Sequence, residues 1–208
     1  MKKIPTLFKK YYNEEGIYVK VLPEISEGLE WVLTDKDVIA TVKWDGSACA
    51  IINGELYKRY DARVKYGKTV PEGAIKCQEE ADPITGHLPC WVKCSRANPA
   101  DKWHFAAYDY YINRNGVPID GTYEAVGKHF QSNPYNIDYD YLIKHGDLVI
   151  ADIEITYEGI YNWLKENEQE GIVFWKDNTP ICKIKRRDYE LSWSRYKGKD
   201  IKEYEETT

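Results

Sequence analysis

No stretch of this chain approaches the roughly 18 consecutive apolar residues of a membrane span, and the opening MKKIPTLFKKYY has too short an apolar run for a secretory signal. No membrane partner is expected, and the expected compartment is cytoplasmic or nuclear. Cysteine is sparse and odd in number, at positions 49, 77, 90, 94 and 182, with no C-x-x-C pair. That argues against a disulfide-stapled secreted scaffold. Cys77, His87, Cys90 and Cys94 lie close in sequence, but H-x2-C-x3-C is irregular for a zinc site, so free thiols are expected. An excess of basic charge is also missing: 29 Lys and Arg stand against 34 Asp and Glu, a net charge of -5. Such a balance does not suit a protein that coats nucleic acid. Internal repeats at the periods of solenoids are absent, as are low-complexity tracts.

What remains is a 208-residue chain with 43% hydrophobic and 30% charged residues, enough for one domain with a real core. That domain is expected over 1–190, followed by a basic-to-acidic tail over 191–208. Aromatics make up 14%, including 18 Tyr and 7 Trp, and such rings serve stacking surfaces as well as cores. Charge is uneven. Between Lys183 and Lys199, seven basic residues (Lys183, Lys185, Arg186, Arg187, Arg195, Lys197, Lys199) face only Asp188 and Glu190. With Tyr189, Trp193 and Tyr196 interleaved, the segment suits contact with nucleic acid, cations meeting phosphates and rings meeting bases.

The punctuation is mostly that of strands. Val38 to Val42 reads as a buried strand, and Asn53-Gly54 between Ala48–Ile52 and Glu55–Tyr60 predicts a hairpin. Lys43 to Gly46 then falls in a turn. Residues 67–103, rich in Pro and Gly, read as a long irregular excursion. His104 to Ile112 reads as a strand from its aromatics, as does Gly121 to Val126. Asp138 to His145, ending at Gly146, reads as a helix, and so does Tyr157 to Glu168 after an N-cap at Thr156. Gly171–Trp175 and Pro180–Lys185, joined by a turn at 176–179, predict a second hairpin. The expected fold class is α+β, antiparallel sheets with peripheral helices.

Chemistry enters at Lys43, in K43-W44-D45-G46, a K-x-D-G sequence. In order after it come R59-Y60-D61-A62-R63, T122-Y123-E124-A125-V126-G127, E170-G171-I172-V173-F174 and C182-K183-I184-K185. This ordered set resembles the covalent nucleotidyltransferases, and specifically the compact ATP-dependent 5′-3′ RNA ligases. P71-E72-G73-A74-I75, D82-P83-I84-T85-G86-H87 and Y157-E158-G159-I160 are similar to that ligase group, and the likeness runs from about residue 36 to 190. The resemblance implies a nucleotidyltransferase (ATP-grasp-like) ligase catalytic domain. Only 23 residues follow Lys185, so no C-terminal OB fold is expected. The activity implied is joining of 5′-phosphate and 3′-hydroxyl RNA ends, as in RNA repair, through a lysyl-AMP intermediate and an adenylylated 5′ end. A DNA ligase, a GTP-using capping enzyme, or a non-catalytic nucleotide- or RNA-binding module of the same fold are the alternatives.

The residues themselves fit such chemistry. A lysine bonds to phosphorus only as the free amine, and an ordinary lysine, with a pKa of about 10.4, is nearly all ammonium at neutral pH. A cationic neighbour such as Lys183 or Lys185, or a metal, would favour the free amine. Lys183 and Lys185 lie at i and i+2, hence on one strand face, from which the resemblance has them hold the α-phosphate. Asp45 would orient the turn, and Gly46 would permit close approach of backbone to ligand. Glu124 and Glu170 offer hard oxygens of the kind Mg²⁺ or Mn²⁺ takes, the resemblance placing Glu124 near the ribose and Glu170 near a metal. Arg59 and Arg63 suit sugar hydroxyls or the 5′-phosphate of the strand. For the adenine, Tyr123 and Phe174 are candidate platforms, with the backbone of Thr41 or Val42 at the base edge.

Overall fold

Asn53 and Gly54 both take positive φ, 52° and 75°, and the tight turn they make sets Ile52 opposite Glu55 and Cys49 opposite Lys58. In the computed structural model, residues 2–83 and 85–193 are described. Arg195, Tyr196, Lys197 and Lys199 of the basic segment, and Ile84, lie outside them. The strands are β1 (Phe8–Tyr12), β2 (Tyr18–Ile25), β3 (Ile39–Lys43), β4 (Ser47–Ile52), β5 (Glu55–Arg63) and β6 (Ile75–Lys76). They continue with β7 (His87–Lys93), β8 (Gly121–Gly127), β9 (Asp140–Lys144), β10 (Gly171–Lys176) and β11 (Thr179–Lys185), beside helices α1 (Lys102–Asn115) and α2 (Tyr157–Glu166). Paired strands run antiparallel, so the fold is α+β. No helix among the described residues is long and apolar enough to cross a membrane. The chain forms two compact units, one of 1–3 and 45–145, the other of 4–44 and 146–208.

In the first unit a six-stranded sheet runs in the order β6-β7-β5-β4-β8-β9. One face packs Cys49, Ile51, Leu56, Tyr123, Ala125 and Leu142 against Ala107, Phe105, Tyr108 and Tyr111 of α1. The helix replaces the strand expected at His104–Ile112. Its aromatic residues are β-prone, but the ends decide: the Asn98 side chain accepts from the Ala100 N–H at 3.1 Å, Pro99 opens the first turn, and Gly116, at φ 80°, ends the helix with its N–H on the Ile112 carbonyl. The helix expected at 138–145 is instead β9, because Asp140–Lys144 pairs along all of Gly127–Tyr123 and sheet pairing overrides local propensity. The excursion at 67–103 likewise holds β7, which pairs with β5 from Tyr57–Lys93 to Arg63–His87. Pro89 sits inside it because its carbonyl accepts from Cys77 N–H on the β6 side, where the N–H it lacks would also point.

In the second unit the sheet order is β11-β10-β3, with β1 and β2 as a separate hairpin. Both outer edges are covered by backbone. The Val42 N–H donates to Leu148 O and Ile150 N–H to Ala40 O beside β3, while Leu7 N–H bonds Lys183 O and Lys183 N–H bonds Pro5 O beside β11. Helix α2 starts as expected, the Thr156 hydroxyl accepting from Gly159 N–H at 3.0 Å. It buries Ile160 and Leu164 on a core with Phe8, Val32, Ala40, Ile172, Phe174 and Ile184.

The basic segment is largely structural where it is described. Arg186 is buried, and its guanidinium donates to the carbonyls of Leu164, of Asn167 at 2.9 Å and of Ser192 at 2.7 Å. It thereby satisfies the open C-terminal end of α2. Tyr189 and Trp193, expected at a nucleic-acid surface, are buried as well. The Tyr189 hydroxyl donates to Tyr157 O at 3.0 Å, and Arg187 lies over the Tyr18 ring. Arg186, Tyr189 and Trp193 face inward, Tyr189 closing the core behind α2, while Arg187 is exposed. Replacing Arg186 with Met, which keeps the stem but orphans those carbonyls, is expected to cost about 2–4 kcal/mol of stability, checked by urea denaturation.

Candidate active site

Register on the central strand β10 assembles the chemistry of the second unit. Lys43, the last residue of β3, lies directly across from Gly171, which lies directly across from Lys185 on β11. Residues opposed in this way share a sheet face, so two lysines flank a glycine. The glycine is required there: a Cβ at Gly171 would collide with the Ile184 carbonyl oxygen and come within 2.9 Å of Lys185 Cα. With no side chain between them, both lysines reach the residue just before it. Glu170 forms an ion pair with Lys43 through Oε2 and accepts from Lys185 Nζ through Oε1 at 2.7 Å. Its side chain is only 10% exposed. Burial alone would push the Glu170 carboxyl up, but Lys43 and Lys185 outweigh it and hold the group below its ordinary value.

One step along the same face, Lys183 opposes Val173, which opposes Thr41. Lys183 and Lys185 therefore share one face, as the i, i+2 spacing predicted, and register adds Lys43 to it. Thr41 is fully buried. Its hydroxyl donates to Val173 O at 3.3 Å and accepts from Trp175 Nε1 at 2.8 Å, so it braces strands. One expectation for the adenine fails here: Phe174 is 0% exposed and packs into the core on the opposite face. The Val42 N–H donates to Leu148 O. Alternation along β10 puts Val173 and Trp175 on the lysine face instead, a signal that sequence reasoning passed over in favour of the aromatic ring.

In the first unit, the backbone just after Lys43 is held by three side chains. Asp45 N–H donates to the Tyr135 hydroxyl at 2.6 Å, Gly46 N–H to Glu124 Oε1 at 3.0 Å, and Gln131 Nε2 to Gly46 O at 3.0 Å. Asp45 itself is buried. A Cβ on Gly46 would strike the Ala125 carbonyl oxygen, so β8 passes where only glycine fits. The second oxygen of Glu124 lies 2.8 Å from His145 Nε2, and His145 Nδ1 lies 3.0 Å from the Thr122 hydroxyl. Tyr135, Gln131 and His145 were not legible as site residues. His145 was hidden by the mistaken helix; Thr122 and Glu124, at i and i+2, were the available hint.

Tyr123 alternates to the other face. It is 0% exposed, its hydroxyl donates to Ile119 O at 2.8 Å, and its ring meets Tyr111 edge-on. It is a core residue and no platform for a base. Arg59 and Arg63, four apart on β5, share a face: Arg59 Nε bonds Asp61 Oδ1 at 3.0 Å, and exposed Arg63 lies opposite His87. The five cysteines are free thiols. Burial pushes Cys94 up to about 12, and the Cys90 thiol donates to Tyr60 O at 3.2 Å. Among the described residues no group of three or more His, Cys, Asp or Glu side chains gathers to hold a metal ion. Glu124 and Glu170 are single carboxylates in different units.

Compared with protein-family models and with curated proteins, the chain matches none.

The sign of the Glu170 shift sets a pH dependence. Its carboxyl is held below the ordinary value of 4.5, so its contribution to stability is complete above that value and is lost as pH falls through the lowered one. Glu170→Gln is expected to cost about 1–3 kcal/mol at neutral pH. The gap between wild type and variant should close as pH drops below about 4, measured by denaturant titrations over a pH series.

Proposed function

We propose that the chain is an ATP-dependent RNA ligase, a covalent nucleotidyltransferase that uses Lys43 as its nucleophile. The observation that carries the proposal is the row Lys43–Gly171–Lys185 with Glu170 between the two amines. It sets a carboxylate beside the amine, which orients it until substrate arrives, and a second cation that can meet phosphate charge. The residue order along the chain, similar to that of compact RNA ligases, supports the same reading.

In the first step the neutral Lys43 amine attacks the α-phosphorus of ATP. An N–P bond forms as the amine gives up a proton to solvent, the bond to the bridging oxygen breaks, and pyrophosphate leaves with the electron pair. Lys185 and Lys183 share the Lys43 face and neutralise charge that builds on the α-phosphate. In the second step a 5′-phosphate oxygen of RNA takes the AMP and frees the lysine, which regains a proton. In the third a 3′-hydroxyl attacks the activated 5′-phosphorus, a phosphodiester forms and AMP departs. Protein groups contribute position and charge throughout. Glu124, through Gly46 N–H, and Tyr135, through Asp45 N–H, fix the backbone that follows the nucleophile. A divalent ion takes one or two carboxylates plus phosphate oxygens and water. Single hard-oxygen donors such as Glu170 and Glu124 fit Mg²⁺ or Mn²⁺ in that mode, the ion drawing charge from the phosphates when bound.

Incubation with ATP and Mg²⁺ should add the mass of one AMP, mapped by peptide sequencing to Lys43. Lys43→Ala should abolish the adduct, and Lys185→Ala or Lys183→Ala should slow its formation by about 100-fold or more. An adduct on another residue overturns the site. Labelling by GTP in place of ATP would point to a capping enzyme, sealing of DNA ends alone to a DNA ligase, and no adduct with any nucleotide to a non-catalytic binding module.

A further inference from the structure

Three consecutive residues of the loop between β8 and β9 sit in left-handed backbone: Gln131, Ser132 and Asn133, at φ 48°, 61° and 51°. Side chains crowd the backbone there, so residues other than Gly, Asn and Asp visit it rarely, and then one at a time. Among the described residues no other run of three non-glycine residues has positive φ. Gln131 and Ser132 are exposed, so core packing does not account for the strain. Strain of this kind persists where its surroundings enforce it, and both flanks of the loop are fastened. On one side Phe130 is buried and meets the His104 ring edge-on. His129 gives its N–H to Asp140 Oδ1 at 2.9 Å, brings Nδ1 within 2.7 Å of Asp140 Oδ2 and stacks on Trp103, ring centroids 3.3 Å apart. On the other side the Asn133 side chain accepts from Ile137 N–H and donates to Ile137 O, both at 2.9 Å.

The loop so held presents two side chains to one target. Gln131 Nε2 donates to Gly46 O at 3.0 Å, and Tyr135, two residues past the left-handed run, accepts from Asp45 N–H through its hydroxyl at 2.6 Å. Glu124 takes the next amide, Gly46 N–H, at 3.0 Å. The Asp45 N–H, the Gly46 N–H and the Gly46 carbonyl are thus all engaged by side chains, and two of those three contacts come from this one loop. Asp45 stands two residues from Lys43, with only Trp44 between. Holding its amide therefore limits the backbone rotations that would swing the lysine.

We infer that the left-handed run at 131–133 is a latch on the backbone that follows Lys43, with Gln131 and Tyr135 as positioning residues for the attack of the lysine on the α-phosphorus. The inference rests on the ligase reading for the step it serves and on the loop geometry for its residues. Both side chains act through the Asp45–Gly46 backbone. They keep it in one conformation before ATP arrives, so that less conformational freedom is lost at the moment of reaction. His129 and Asp140 anchor the loop that carries them.

Amide hydrogen exchange of the nucleotide-free protein, resolved by residue with NMR, reads the latch directly. Tyr135→Phe keeps the ring and removes the acceptor, and the Asp45 amide is expected to exchange at least about fivefold faster than in wild type. Single-turnover formation of lysyl-AMP reads the consequence. Tyr135→Phe and Gln131→Met should lower its rate at saturating ATP by about 10-fold or more, while the half-saturating ATP concentration changes less than about twofold. Gln131→Lys, which again offers an N–H to the Gly46 carbonyl, should restore most of the rate; a merely structural role would lower the melting temperature and give no such rescue. Thermal melting checks that each variant folds, and if Tyr135→Phe does not, the two Gln131 variants decide. Unchanged Asp45 exchange in folded Tyr135→Phe, wild-type rates in both folded variants, or Gln131→Lys no faster than Gln131→Met overturns the inference. The two proposals fail separately. Wild type that forms lysyl-AMP at a rate neither substitution alters sinks the latch alone, whereas wild type that forms none sinks the ligase reading, and faster Asp45 exchange in Tyr135→Phe then leaves the latch standing without it.

Discussion

A single buried carboxylate shared by two ammonium groups organises the second unit. Glu170 sits between Lys43 and Lys185, a cluster of two positive charges and one negative in a setting with little water. Both amines favour its ionised form, which is why its pKa is held down despite burial. The amines, in turn, are one charge in excess.

That cluster depends on register more than on any one side chain. Gly171 is the pivot, because its lack of a Cβ allows β11 to approach and leaves the space through which both lysines reach Glu170. A slip of one residue in either pairing would turn Lys43 or Lys185 to the opposite face, toward Ile172, Phe174 and Ile184. Coverage of the sheet edges by the 5–7 and 148–150 segments opposes such a slip. Gly46 serves the first unit similarly, its bare Cα letting β8 pass and its N–H meeting Glu124.

The hairpin at Asn53-Gly54, the hairpin of β10 and β11, and the capped start of α2 were legible because each rests on contacts within a few residues. The shared face of Lys183 and Lys185 was legible for the same reason. Helix α1 was not, since its face toward the sheet and its face toward solvent are both aromatic and the 3.6-residue period is hidden. Strands β7 and β9 were missed because each is made by its partner: Pro89 and the Asp138–His145 pattern speak against strands until β5 and β8 are placed beside them. The choice of Phe174 and Tyr123 as platforms failed for a subtler reason. Tyr123 is one residue from Glu124 and Phe174 is three from Gly171, and an odd offset along a strand turns a ring to the other side of the sheet.

Residue types and their order, with local turn and cap chemistry, are properties of the chain alone, and they sufficed to single out Lys43, Glu124, Glu170, Lys183 and Lys185. Which of those side chains share a charge, which arginines turn inward, and which histidines meet them were decided only by tertiary structure. Strand register and burial set distances between residues more than a hundred positions apart, and Coulomb and hydrogen-bond energies depend on those distances.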